Sequence, residues 1–445
     1  MSFNLKPFFN FFFCLCFFTS IAQTATKVTL ASDANGTQLL VNNQFMMING
    51  VNWDYIPIGT NYSFNLWQQP DDFIKKALQS EMSLLKDMGV NAIRVYTGIQ
   101  PQWITYIYKT YGIYTMLNHS FGRYGVTLYD RYIQVTDYRN PNVRKQLLKE
   151  VSELANEFKD TEGLLLYLLG NENNYGLFWA GSETEDFPSD DKMKKAMGEK
   201  RGRPMYTLFN EAALLIKSID KNHPIAICNG DLMFIDIIAE ECKDVDIYGT
   251  NMYRGASFGN AFKEVKNKLN KPILFTEFGV DAFNALENKE DQKMQASFLI
   301  SNWKEIYKNA YALGTSGNSI GGFTFQFGDG WWKVGQTKNL DIHDTDATWT
   351  NNGYDVDTKN NSPNMNEEWF GITAKGYANK AGLYESYPRA SYYVLQQLHK
   401  AIDFKKNKTE QHIEEIFLNL NLEQALQKGL ENKKRLEINQ KHNKK

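Results

Sequence analysis

Short apolar runs that end in polar or aromatic residues recur eight times along the chain, and most are separated by segments with helical spacing. The runs cover 45–53, 92–96, 112–119, 163–172, 224–229, 245–253, 272–277 and 321–327. Most are apolar at consecutive positions rather than at alternate ones, as in strands covered on both faces. Between them, Asp71–Met88 sets Phe73, Ala77, Met82, Leu85 and Met88 at helical spacing, and 142–158 does the same with Val143, Leu147, Val151 and Leu154. The same reading predicts helices over 206–219, 261–269, 291–312 and 391–402. Eight such units predict an α/β fold in which a parallel sheet closes into a (β/α)8 TIM barrel.

Three stretches stand outside this rhythm. Residues 27–44 read as a hairpin turning at Asn35-Gly36, placed to close the bottom of the barrel. Residues 328–388, rich in Asn, Asp, Gly and Tyr, read as a long insertion after the eighth strand. Residues 403–445 are charged, with one amphipathic stretch near Ile413–Leu430, and read as a solvated helix and a frayed tail. The barrel domain is therefore expected over 26–402. Residues 1–25 read as a cleavable signal peptide. Lys6 precedes an apolar run from Pro7 to Phe18, and small residues follow through Ala25. The run is short for a membrane span, so the expectation is a secreted or periplasmic protein without stable membrane insertion.

The chain has 49 basic and 51 acidic residues, a net charge of −2, which argues against a nucleic-acid partner. Outside the leader only Cys228 and Cys242 remain. They can pair in an oxidising compartment or stay as buried thiols. With 9 Trp and 24 Tyr, the chain has rings for a large core or for stacking on sugars. Asp341, Asp344 and Asp346 do not match a calcium loop and read as solvated turns, so no metal and no cofactor is expected.

Barrels place their chemistry at the carboxyl ends of the strands. Glu172 and Glu277 end the fourth and seventh runs, 105 residues apart. A carboxyl at such a rim is costly to bury unless it is paired or protonated. One that holds its proton can donate it to a leaving oxygen. A second, held ionised by Arg94 and a tyrosine hydroxyl, can attack an anomeric carbon. This pair is what glycoside hydrolysis needs, and a gap of about 5–5.5 Å between them gives retention of configuration.

The strand ends resemble those of clan A glycoside hydrolases, most closely the TIM-barrel domain of family 2. The matching segments are Leu40 to Trp53, Met88-Gly-Val-Asn-Ala-Ile-Arg-Val-Tyr96, Leu169-Gly-Asn-Glu-Asn-Asn174 and Pro272-Ile-Leu-Phe-Thr-Glu-Phe-Gly279. The resemblance implies that Glu172 is the acid/base and Glu277 the nucleophile of a double displacement. It implies that Asn171 bonds the sugar 2-hydroxyl, that Arg94 and Tyr253 position Glu277, and that His119 and Asn229 line the same subsite. Trp53 at the first strand end and Trp179 after the acid/base loop are further candidates to meet the sugar. Where the clan often ends its eighth strand in Trp, this chain has Phe327, and Trp331 and Trp332, which follow shortly, are expected to supply the platform. The implied activity is a retaining O-glycosidase acting on β-linkages of an oligo- or polysaccharide, a β-glucan being the expected class. A transglycosylase and a carbohydrate-binding barrel without catalysis are the alternatives.

Overall fold

A computed structural model describes residues 25–96, 98–177, 190–345, 358–359, 362–363, 365–404 and 409–443. The leader reading (1–25), Trp179 and Asp346 fall outside the described residues, except for Ala25 at the leader's end. Eight strands form a closed parallel barrel: β1 (Ile48–Asn52), β2 (Ala92–Val95), β3 (Tyr114–His119), β4 (Leu164–Leu169), β5 (Ile225–Gly230), β6 (Ile247–Asn251), β7 (Ile273–Phe278) and β8 (Ser319–Thr324). They pair in chain order, and β8 closes onto β1 with Gly321 opposite Ile48. A helix follows each strand: α1 (Asp71–Met88), α2 (Pro101–Tyr111), α3 (Pro141–Phe158), α4 (Arg203–Ile219), α5 (Ile235–Glu241), α6 (Ala261–Leu269), α7 (Gln292–Lys308) and α8 (Ala390–Ala401). The eightfold alternation expected from the apolar runs is thus present.

Two helices, α2 and α5, escape the pattern reading. The sequence of α2, PQWITYIYKTY, is rich in residues that favour strands. Packing overrides that preference, because Trp103, Ile104, Ile107 and Tyr111 fall on one buried face. Pro101 starts the helix, and Gly112, at φ 74°, ends it in the left-handed conformation. The α5 helix has only seven residues, too few for a periodic signal.

Side chains divide by strand face into two cores. Ile48, Ala92, Met116, Leu166, Leu168, Ala226, Cys228, Ile247, Leu274 and Ile320 fill the barrel, together with Val28, Leu39 and Val41 of the hairpin Val28–Asp33/Gly36–Val41. The hairpin therefore plugs the barrel bottom. It is held there by Val28 N–H donating to Asn222 O (2.8 Å) and Thr37 N–H to Gly317 O (2.9 Å). The opposite parity, including Val51, Ile93, Leu117, Tyr167, Leu169, Ile227 and Phe275, faces the helices.

The charged C-terminal segment departs from the expected solvated helix and frayed tail. Residues 409–443 form α9 (Glu410–Leu418) and α10 (Leu422–Asn443), which dock on α7 and α8. Ile413, Ile416, Ala425 and Asn432 are buried. The Asn432 amide donates to Pro388 O (2.9 Å) and Tyr393 Oη (2.8 Å), and Glu414 bridges Lys304 and Lys308 of α7. Sparse apolar positions hid this docking, since much of the contact is polar. Cys228 and Cys242 are both buried and free, and burial pushes their thiols up to about 11 and about 12.

Candidate active site

Glu277 sits at the carboxyl end of β7, 7% exposed. Strict alternation would aim it at the helices, like Phe275. A register shift against β6, where Thr250 faces Phe275 but Asn251 faces Glu277, breaks the alternation. Thr276 and Glu277 then both reach the barrel mouth, while Phe275 and Phe278 face the helices. Three donors meet the Glu277 carboxylate. Arg94 Nη1 (2.7 Å) and Tyr96 Oη (2.9 Å) reach Oε1, and Tyr253 Oη (2.9 Å) reaches Oε2. Burial first, then the Glu277 charge, pushes both phenols well above the ordinary tyrosine range, so both keep their protons and donate.

Arg94 is fully buried and its fork is fully used. Nε and Nη2 donate to Asn118 Oδ1 (3.1 and 2.7 Å), and Nη2 also to Asn171 Oδ1 (2.8 Å). Nη1 reaches Thr276 O as well (3.3 Å). Burial works against this guanidinium's charge, and the acidic groups around it, Tyr96, Cys228 and Glu277, together outweigh burial and hold it above the ordinary arginine range. The planar fork thus locks β2, β3, β4 and β7 to one another at the mouth.

Glu172 lies just beyond β4, in the Leu169-Gly-Asn-Glu-Asn-Asn174 turn. Gly170, at φ 85°, makes the turn, and a side chain there would strike Asn173 Oδ1 at 2.5 Å. Glu172 itself is held in the left-handed region, at φ 57°, which costs roughly 1 kcal/mol for a residue with a Cβ. The turn is clamped. Asn171 N–H donates to Asn173 Oδ1 (2.7 Å), Glu172 N–H to Cys228 O (2.9 Å), and Asn174 exchanges two bonds with Gly230. Glu172 and Glu277 both act electrostatically on the Tyr253 phenol and on the Cys228 thiol, so both carboxyls lie near the same two side chains. Asn171 bridges the halves of the site: Oδ1 accepts from Arg94 and from Asn251 Nδ2 (3.1 Å), and Nδ2 donates to Tyr124 Oη (2.9 Å).

Three other expected residues do not join them. His119 turns outward from β3, with Nε2 3.4 Å from Glu150 of α3 and Nδ1 accepting from Phe121 N–H. Asn229 turns outward from β5, accepting from Tyr206 Oη (2.7 Å) and donating to Asp231 O and Met233 O. Trp53 turns outward beyond β1, packs on Trp67 and donates to Glu81 of α1 (2.7 Å). All three have the outward parity of their strands. The inward neighbours Asn118, Cys228 and Asn52 take the places assigned to them, and Asn52 accepts from Tyr96 Oη (3.3 Å). Trp331 is half-buried and stacks on His343 (4.4 Å), which stacks on Trp369 (3.7 Å), so one of its faces is closed to a sugar. Phe325, not Phe327, lies edge-on to Tyr253 (6.2 Å), while Phe327 is buried in the outer core. Asp344 is structural, its carbonyl accepting from Asn366 Nδ2 and Trp369 Nε1.

The Trp53–Glu81 contact carries a pH signature of stability rather than of catalysis. Burial pushes the Glu81 carboxyl up to about 7 from its ordinary 4.5, against the pull of Lys375 and of donors from Ser386 and Trp53. A raised folded-state value means that the folded form holds the proton more tightly. This contribution is present below pH about 4.5 and is lost as pH rises through about 7, on the order of 3 kcal/mol. Glu81→Gln therefore flattens the fall in Tm between pH about 5 and pH about 8, read by calorimetry. An unchanged slope would remove Glu81 as its source.

The sequence profile of the glycosyl hydrolases family 2 TIM barrel domain matches residues 33–333. No curated protein is matched by the sequence. Among solved structures, the family 2 β-galacturonidase of Eisenbergiella tayi bound to galacturonate is 15% identical with a TM-score of 0.51, the match covering 85% of this chain and 54% of that one. The β-D-glucuronidase of Dictyoglomus thermophilum is 14% identical with a TM-score of 0.51, over 84% of this chain and 54% of that one. The chain thus spans about half the length of these structures, and the likeness is one of fold.

Proposed function

Since this chain belongs to glycosyl hydrolase family 2, we propose that it is a retaining β-glycosidase with Glu277 as nucleophile and Glu172 as acid/base. The observation that carries this reading is the clamp of Arg94, Tyr96 and Tyr253 on Glu277, with a second carboxyl, Glu172 on the β4 turn, near enough to act on the same Tyr253 phenol. Among the described residues Oε2 of Glu277 has one donor against two on Oε1, so Oε2 keeps the freer lone pair for attack. It bonds the anomeric carbon as the glycosidic C–O bond breaks, and Glu172 gives its proton to the departing oxygen. Glu172 then takes a proton from water, whose oxygen displaces Glu277 from the sugar. Transfer to a sugar acceptor would use the same residues in the second step. Product sizing at high acceptor concentration separates it from hydrolysis.

An oligo- or polysaccharide substrate, with a β-glucan as our first choice, is supported by the loop between β3 and α3. There Tyr124, Tyr129 and Tyr132 are exposed by 43%, 81% and 64%. Tyr124 also bonds Asn171 of the site. Rings so placed offer faces to the C–H sides of pyranoses. Export from the cytoplasm rests on the leader-like residues 1–25 alone.

A 2-deoxy-2-fluoro β-glycoside with a dinitrophenyl leaving group tests the reading by trapping the glycosyl-enzyme, with peptide mass spectrometry expected to find the sugar on Glu277. In parallel, Glu172→Ala slows cleavage of an unactivated glycoside by about 10²–10⁴-fold but spares an activated one far more. Azide restores turnover and yields the β-glycosyl azide. A label on another residue, or equal losses on both substrates, would reject the assignment.

A further inference from the structure

Beyond the two carboxyls, one group of side chains at the end of β8 has no part in the bond-breaking steps. Lys333 Nζ pairs with Glu367 Oε1 at 2.8 Å and lies 5.2 Å above the Phe325 ring and 4.8 Å from the Trp332 ring. Both charges belong to the site's field. Lys333 feels Glu277 and Tyr124, and Glu367 acts on Tyr253. Burial works against the lysine's charge, and Glu367 outweighs burial, holding the ammonium above the ordinary lysine range. Beside the pair, Gln326 is only 4% exposed, and its Nε2 has no hydrogen-bond partner among the described residues. The indole N–H of Trp332 is likewise buried without one. Gly330 lies against both partners, since a side chain there would meet Lys333 Cγ at 2.8 Å and Gln326 Nε2 at 2.9 Å.

A buried amide donor without a partner is costly unless something fills its place. The ligand this group fits presents neutral oxygens. Gln326 and Trp332 offer donors, and the Lys333–Glu367 pair offers a donor and an acceptor together, as adjacent hydroxyls require. A carboxylate fits poorly, because Lys333 is already neutralised and Glu367 would repel a second anion. Arg94, the other cation at Glu277, is likewise taken. We propose that Gln326, Trp332, Lys333 and Glu367 form a specificity site that reads the hydroxyls of a neutral hexopyranoside and rejects a uronic acid. This rests on the glycosidase reading and deepens it.

The test compares kcat/KM for 2,4-dinitrophenyl β-D-glucoside, -galactoside, -mannoside and -glucuronide. The best neutral glycoside is expected to exceed the glucuronide by about 100-fold or more. Glu367→Gln, which frees the lysine's charge, is expected to raise the glucuronide-to-neutral ratio at least about tenfold. Lys333→Gln is expected to raise KM for the neutral glycoside and leave the glucuronide disfavoured. A wild type that prefers the glucuronide overturns this inference and leaves the glycosidase reading intact, as does a ratio unmoved in a folded Glu367→Gln variant. Turnover of none of the four overturns both.

Discussion

Glu277→Gln lowers kcat on an activated β-glycoside by on the order of 10⁴-fold, while the protein stays folded and binds product sugar within a few fold of wild type. The amide keeps an oxygen for Arg94 and Tyr96, and Tyr253 can accept from the new NH₂, so the clamp survives in shape. What disappears is the charge that attacks the anomeric carbon. Steady-state kinetics and calorimetric sugar binding on the same preparation separate three outcomes. Lost turnover with kept binding supports the enzyme. Full turnover in the variant rejects Glu277. A wild type that binds but never turns over identifies a carbohydrate-binding barrel, on which the substitution has no effect.

Arg94→Met costs about 3–5 kcal/mol of stability in a urea melt, because removing one partner of a buried ion pair strands the other. Asn118 Oδ1 loses both bonds from Arg94, and Asn171 loses one of its donors, at the same stroke. The kcat/KM falls by at least about 10²-fold, since the clamp on the nucleophile is gone. Arg94→Lys recovers part of the stability but little of the rate, since one ammonium cannot span acceptors on β3, the β4 turn and β7 together. A methionine variant within about 1 kcal/mol of wild type, with kcat/KM unchanged, would show that the guanidinium is not the keystone of the mouth.

Glu172, Glu277, Arg94, Asn171 and Tyr253 were legible because each closes or follows an apolar run, and strand ends converge in a barrel. His119, Asn229 and Trp53 met the same criterion and yet face the helices. Runs apolar on every position do not reveal which parity points inward. Placing Arg94 inward would have carried the parity to Asn52 and Asn118 through the pairings of β1, β2 and β3. The Lys333–Glu367 pair had no such signal, since its partners are 34 residues apart in a segment without periodicity.

The order of apolar and helical segments by itself determined an eight-stranded α/β barrel with two glutamates at its rim, because burial on both faces and convergence of strand ends follow from pattern and chain order. Only the tertiary structure decided which rim residues enter the mouth. The shift between β6 and β7 turns Glu277 inward against strict alternation. Docking of α9 and α10, and the charge pairing beside β8, were decided there too. These depend on register and on polar contacts between distant segments, and neither leaves a periodic trace along the chain.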